Sequence, residues 1–120
     1  MLQEDKELLL RDLCARLPYS VCVQDEYGEI DYVNYNDVHF ANYFDSILNG
    51  KVKPYLRPMS SMTETQKNEY QYITERWMYD SSYSISDSID WLNKNHFDYR
   101  GLIPMDLAIA VTKENNPYKE

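Results

Sequence analysis

Pro18 separates two hydrophobic periodicities that no single element of secondary structure can satisfy. Upstream of it, Leu9, Leu10, Leu13, Cys14 and Leu17 recur at spacings of three and four, the signature of one apolar stripe on a helix. Downstream, Tyr19, Val21 and Val23 alternate with Ser20, Cys22 and Gln24, the period of a half-buried strand. The residue before a proline is pushed out of the helical region, so the chain must change element here. The spacing predicts a helix over 3–16, within an N-terminal helical segment 1–17. Glu4, Asp5 and Glu7 lie in its first turns and Arg16 near its end, as the helix dipole prefers.

The strand pattern continues through 19–57. Glu26-Tyr27-Gly28-Glu29 supplies a turn and Ile30–Tyr35 a returning strand, rich in β-branched and aromatic residues. Asn34, Asn36 and Asp37 mark a second turn and Val38–Phe44 reads as a third strand. Asn49-Gly50 is a hairpin signal before Lys51–Leu56. Pro54 places that strand at a sheet edge or puts the proline at a strand start. Ser61-Met62-Thr63-Glu64 and Thr63-Glu64-Thr65-Gln66 are overlapping capping boxes. The proline-bracketed segment around Tyr55 and Arg57 therefore reads as a joint between strand and helix. Its other reading is a binding surface lined by Tyr55 and Arg57.

Two more helices follow, over 63–78 with Gln66, Tyr70, Ile73 and Trp77 down one side, and over 86–96 with Ile85, Ile89, Leu92 and His96 in register. Ser84 or Ser86 can cap the latter. Alternation of Ile103, Met105, Leu107, Ile109 and Val111 predicts a final strand over 102–112. A helix with Pro104 at its first position is the alternative. The tail 113–120 is polar and expected to fray. The expectation is one α+β domain over 1–120: a small antiparallel sheet, which could curl like an SH3-type barrel, packed with three helices through Leu13, Leu17, Ile73, Trp77, Ile89 and Leu92.

The formal net charge of −8 argues against nucleic-acid binding through phosphate contacts and against docking on anionic lipid. The charge is uneven. From Leu17 to Gly50 there is no Lys or Arg, whereas Asp25, Glu26, Glu29, Asp31, Asp37 and Asp45 all fall there. These hairpins read either as solvated acidic faces or as a surface for a basic protein partner, with Asp25, Glu29, Asp31 and Asp37 as the contact residues. Cys14 and Cys22 match no zinc or redox spacing. Both are expected as buried free thiols, which suits a reducing, cytoplasmic setting. The N-terminus lacks the basic flank and apolar run of a signal peptide, and no segment is long and apolar enough to span a membrane.

Three blocks, LLLRDLCARLPYSV, KVKPYLRPMSSMTE and IDWLNKNHFDYRGLI, together resemble a group of short proteins common in anaerobic gut bacteria and their phages. The resemblance covers most of the chain and implies a bacterial or phage cytosolic setting. It supplies no activity, cofactor or catalytic residue. The chain departs from the group's usual look between Asp25 and Gly50, where it is richer in acids, Tyr and Asn.

Three glycines in all disfavour a phosphate-cradling loop. No catalytic residue, metal ligand or cofactor is assigned. One constellation stands out, His96-Phe97-Asp98-Tyr99-Arg100 at a helix exit. There the dipole would favour a cationic His96, and Asp98 could pair with Arg100 or orient His96. The function expected is a small acidic interaction module, an adaptor or inhibitor. The alternative is a small enzyme or ligand-binding protein using His96, Asp98, Tyr99 and Arg100.

Overall fold

The structure, a computed structural model, describes residues 1–34 and 40–118, with the backbone alone for residues 40–42. Helix α1 spans Gln3–Arg16 as the spacing predicts, and Pro18 falls in a 3-10 turn over Leu17–Tyr19. The buried face of α1 is Leu9, Asp12, Leu13 and Arg16, so an ion pair occupies positions that the apolar stripe assigned to Leu10 and Cys14. Cys14 is exposed, contrary to expectation; Cys22 is buried, and both thiols are free.

Strand β1, Val21–Gln24, pairs antiparallel with β2, Ile30–Val33. Gly28 takes φ 84 in the turn between them, the left-handed region where a side chain is disfavoured. Val21, Cys22 and Val23 are all buried, so β1 is covered on both faces rather than alternating. The third strand expected over Val38–Phe44 does not form across the described part of that stretch. Helix α2 covers Phe40–Leu48 instead, with Ile47 buried and Tyr43 and Phe44 packed against the core at helical spacing. Asn49-Gly50 ends this helix rather than turning a hairpin. Gly50 at φ 83 donates to Ile47 O at 3.2 Å and Lys51 donates to Ser46 O at 2.9 Å, the paired bonds of a Schellman cap. A primed hairpin turn and a helix C-terminus both ask for a left-handed residue, and the local sequence alone does not separate them.

Strand β3, Lys53–Leu56, lies inside the sheet, with Pro54 opposite Val23 near the strand start. Strand β4, Ile109–Ala110, runs parallel to β3, so the four-stranded sheet is mixed, in the order β2-β1-β3-β4. The expected all-antiparallel pairing is corrected, and the strand order is that of an open sheet rather than an SH3-type barrel. The final strand is short because Leu102 and Leu107 are buried through turns, with Asp106 at φ 60, before extended pairing begins.

Helix α3, Glu64–Tyr79, starts from the Thr63 box: Gln66 N–H donates to Thr63 Oγ1 at 3.1 Å and Thr63 N–H to Gln66 Oε1 at 2.9 Å. Helix α4, Ile85–Lys94, starts at Ser84, whose N–H donates to Asp87 at 2.6 Å. The α+β class holds, but the core is placed differently. Leu9, Leu13, Leu17, Val21, Val23, Val33, Ile47, Leu56 and Leu102 form it. Leu92 is buried at 4% exposure, whereas Trp77 and Ile89 keep 36% and 39%. Helix α3 packs on α4 and buries no residue fully.

Leu92→Ala is expected to cost about 2–5 kcal/mol, because its side chain is buried. Trp77→Ala should cost less, since that ring is already part-solvated. Thr63→Ala should cost about 0.5–2 kcal/mol through loss of the cap. Urea unfolding of the three variants checks the ranking; equal costs for Leu92→Ala and Trp77→Ala would contradict this core assignment.

Candidate functional site

The exit of α4 is built as a helix cap with an unusual residue in the glycine position. His96 N–H donates to Asn93 O at 3.1 Å and Phe97 N–H to Leu92 O at 3.0 Å, again the Schellman pair. His96 itself sits at φ 60, a conformation that costs a side-chain-bearing residue energy. The chain then runs beside the end of β3: Arg57 N–H donates to His96 O at 2.7 Å and Asp98 N–H to Arg57 O at 2.8 Å. The helix exit and the proline-flanked joint are thus one structural unit.

The residues of the constellation then separate. Asp98 accepts the N–H groups of Leu102 at 2.8 Å and Ile103 at 2.9 Å. This replaces the expected pairing with Arg100 or His96, because the turn that follows offers two buried donors. Arg100 reaches Asp12 at 3.2 Å, and Tyr99 OH donates to Asn93 at 2.9 Å. Tyr99 also lies under two guanidiniums, Arg100 at 4.7 Å and Arg16 at 5.5 Å from its ring centre.

The tail is docked, not frayed, up to Tyr118. β1 and β3 pair only at Val23↔Pro54 and Gln24↔Lys53. At the next step the Tyr118 hydroxyl bridges them: it accepts the Cys22 N–H at 2.9 Å and donates to Tyr55 O at 2.7 Å. Tyr32 OH donates to Pro117 O at 2.7 Å. The Tyr118 ring stacks on His96 with centroids 4.3 Å apart and planes 12° apart, and the Arg57 guanidinium lies 5.5 Å from its centre.

These contacts border a cavity of about 270 Å³. Arg57, Lys94, Asn95 and His96 line one part of it; Tyr19, Ser20, Tyr32 and Tyr118 complete the lining. Within it, His96 is 5% exposed. Its Nδ1 and the Nε of Arg57 have no hydrogen-bond partner among the described residues. Burial, then the charges of Arg16 and Arg57, lower the His96 pKa to about 4, against a weaker opposing hydrogen bond that the imidazole donates to the Tyr19 backbone. His96 is therefore neutral at pH 7, which corrects the expectation of a dipole-stabilised cation: desolvation and two guanidiniums outweigh the helix end. Burial pushes the Cys22 thiol up to about 11, so it carries no thiolate nucleophile at neutral pH. Burial likewise raises the Tyr118 phenol.

Of the sequence-predicted residues, Arg57 and His96 meet at the cavity, and Tyr55 lies beside it, buried, through its carbonyl. Asp98, Tyr99 and Arg100 do not line it. Neither do Asp25, Glu29 and Asp31, which belong to the β1–β2 hairpin. Asp25 accepts the N–H groups of Tyr27 and Glu29, both at 2.9 Å. Asp31 accepts the N–H of Tyr32 at 2.8 Å and the Tyr43 hydroxyl. Glu29 is exposed. Asp37 lies outside the described residues. Tyr118 and Lys94 were not foreseen; the proline-aromatic pair Pro117-Tyr118 in an otherwise polar tail was the available signal. Among the described residues no group of three His, Cys, Asp or Glu side chains is placed to hold a metal ion, and no helix is long and apolar enough to cross a membrane. Comparisons with protein families, with curated proteins and with solved structures found no match.

The lowered His96 pKa fixes the sign of an acid dependence. The unfolded chain takes up the histidine proton near its ordinary value of 6.5, whereas the folded chain resists until about 4. The His96 contribution is thus fully present above the unfolded value and is lost as pH falls through this window. Urea midpoints at several pH values between 7 and 4 should fall more steeply for the parent than for His96→Gln. Parallel pH profiles would contradict a buried neutral imidazole.

Proposed function

We propose that this protein is a non-enzymatic interaction module that binds a protein partner through the α3–α4 helix pair. One observation carries the reading. Helix α3 buries none of its residues fully, yet it presents Tyr72, Trp77, Met78 and Tyr79 at 53%, 36%, 59% and 82% exposure. On α4, Ile85 and Ile89 stand out at 59% and 39%. Between the helices runs a groove of about 270 Å³ lined by Met59, Tyr70, Trp77, Ile85, Ile89 and Leu92. Exposed aromatic and aliphatic side chains flanking an apolar groove suit a protein contact, and Trp, Tyr and Met are enriched at interface cores. A net charge of −8 favours a partner with a basic rim, because opposite charge steers encounter. The exposed Glu26 and Glu29 of the β1–β2 hairpin extend that field. A bacterial or phage cytosol is the setting that the sequence resemblance implies for such an adaptor or inhibitor.

Affinity capture from bacterial lysate, read by mass spectrometry, tests the assignment with two variants. Trp77→Ser/Ile89→Ser should lose the partner while unfolding cooperatively. Asp25→Asn/Glu29→Gln/Asp31→Asn should keep it, with weaker capture as salt rises. Loss confined to the acidic variant would move the interface to the hairpin. Capture unaffected by either variant would overturn the proposal.

A further inference from the structure

We propose that the cavity bounded by Arg57, Lys94 and His96 is a binding site for a small phosphate group, free or as a monoester. The inference is independent of the helix-pair surface and rests on three observations. First, the described lining is cationic in an acidic protein: Arg57 and Lys94 border the cavity and, among the described residues, no Asp or Glu does, although the chain holds 20 acids against 12 bases. Two cations without a carboxylate match the charge of a phosphate at neutral pH. Second, beneath the wall of the cavity lies hydrogen-bonding capacity that the described residues leave unused. His96 is 5% exposed, and both its Nδ1 and the Arg57 Nε are buried without a partner, whereas buried polar groups are ordinarily paired. The Arg57 guanidinium and the Lys94 ammonium bring N–H donors to the cavity, and a phosphate oxygen accepts from either.

Third, these groups are held in place before any ligand arrives. The Arg57 and His96 backbones are bonded to each other, and the His96 ring is stacked on Tyr118. Tyr118 is in turn fixed by bonds to Cys22 and Tyr55. A preformed donor set loses little freedom on binding. One feature opposes an anion: the cavity lies at the C-terminal end of α4, the negative end of the helix dipole. Here the local bonding blunts that effect. His96 and Phe97 N–H groups take the carbonyls of Asn93 and Leu92, and the Asn95 side chain takes that of Trp91. Partial charges that are already hydrogen-bonded oppose two full cations weakly. A volume of about 270 Å³ holds a phosphate with a small substituent, and Tyr19 and Tyr32 offer ring surface beside it.

Phosphate-free full-length protein at pH 7 and constant ionic strength would be titrated with inorganic phosphate, phenyl phosphate and acetate. Binding would be followed by the His96 imidazole ¹⁵N signals and by calorimetry. Inorganic and phenyl phosphate should shift the His96 signals saturably, and acetate should bind at least tenfold more weakly. Lys94→Gln, an exposed position whose replacement leaves the fold intact, should weaken phosphate at least fivefold, and Arg57→Gln should weaken it further. Three results would each overturn the proposal: no saturable response to either phosphate, equal affinity for acetate, or unchanged affinity in Lys94→Gln together with Arg57→Gln.

Discussion

A fully buried guanidinium holds this architecture together. Arg16 has 0% side-chain exposure, and its partner Asp12, one helical turn earlier, has 1%. Removing either charge from water alone would be prohibitive, so the two are locked in a fork with bonds of 2.8 and 2.9 Å. Nη2 of Arg16 also reaches across the molecule to Phe97 O at 2.6 Å, Nη1 has no partner among the described residues, and Arg100 supplies Asp12 with a second cation. A helix near the start of the chain is thereby fastened to the segment that leaves α4. That contact fixes where Phe97 lies, hence where His96 must turn, hence the left-handed backbone that brings the imidazole into the cavity.

From this anchor the sheet and the tail follow. Phe97 runs beside Arg57, which continues β3, and β3 carries β4 on one side and β1 on the other. Where β1 and β3 part, backbone groups would be left unpaired, and the Tyr118 hydroxyl satisfies one on each strand. The last described residue thus completes the middle of the sheet. The helix pair α3–α4 is less deeply embedded: its inner edge, through Ser88, Leu92 and Asn93 of α4, is buried, while α3 buries no residue fully and keeps its aromatic side chains exposed. Stability resides in one part of the chain, and the surface proposed for recognition in another.

Elements specified by local chemistry were legible in the sequence. Helix α1 ends at Arg16 as expected, although Leu17 keeps a helical backbone and Pro18 continues into a 3-10 turn; α3 starts at the Thr63 box, and α4 starts at Ser84. What escaped reading depends on contacts distant in sequence. Arg16 looks like an ordinary cation complementing a helix end, and only tertiary packing makes it a buried anchor. Tyr43, Phe44 and Ile47 suit a strand or a helix, and the choice falls to the core they meet. Trp77 and Ile89 lie on apolar stripes, yet they stay 36% and 39% exposed, because periodicity alone does not say how deeply a stripe is covered. For the candidate site, Arg57 and His96 were both singled out, but separately. Their meeting depends on the bridge between β3 and the α4 exit, and Tyr118 is brought to them from the far end of the chain.

The anchoring role of the Asp12–Arg16 pair is tested most directly by comparing Asp12→Asn with Asp12→Leu/Arg16→Met in equilibrium urea unfolding. Asp12→Asn strands a buried cation and should lose about 3–5 kcal/mol, whereas the apolar pair should recover most of that loss. An Asp12→Asn protein within about 0.5 kcal/mol of the parent would mean that Arg16 reaches solvent in the folded chain, and the architecture would then have to be explained without a buried ion pair.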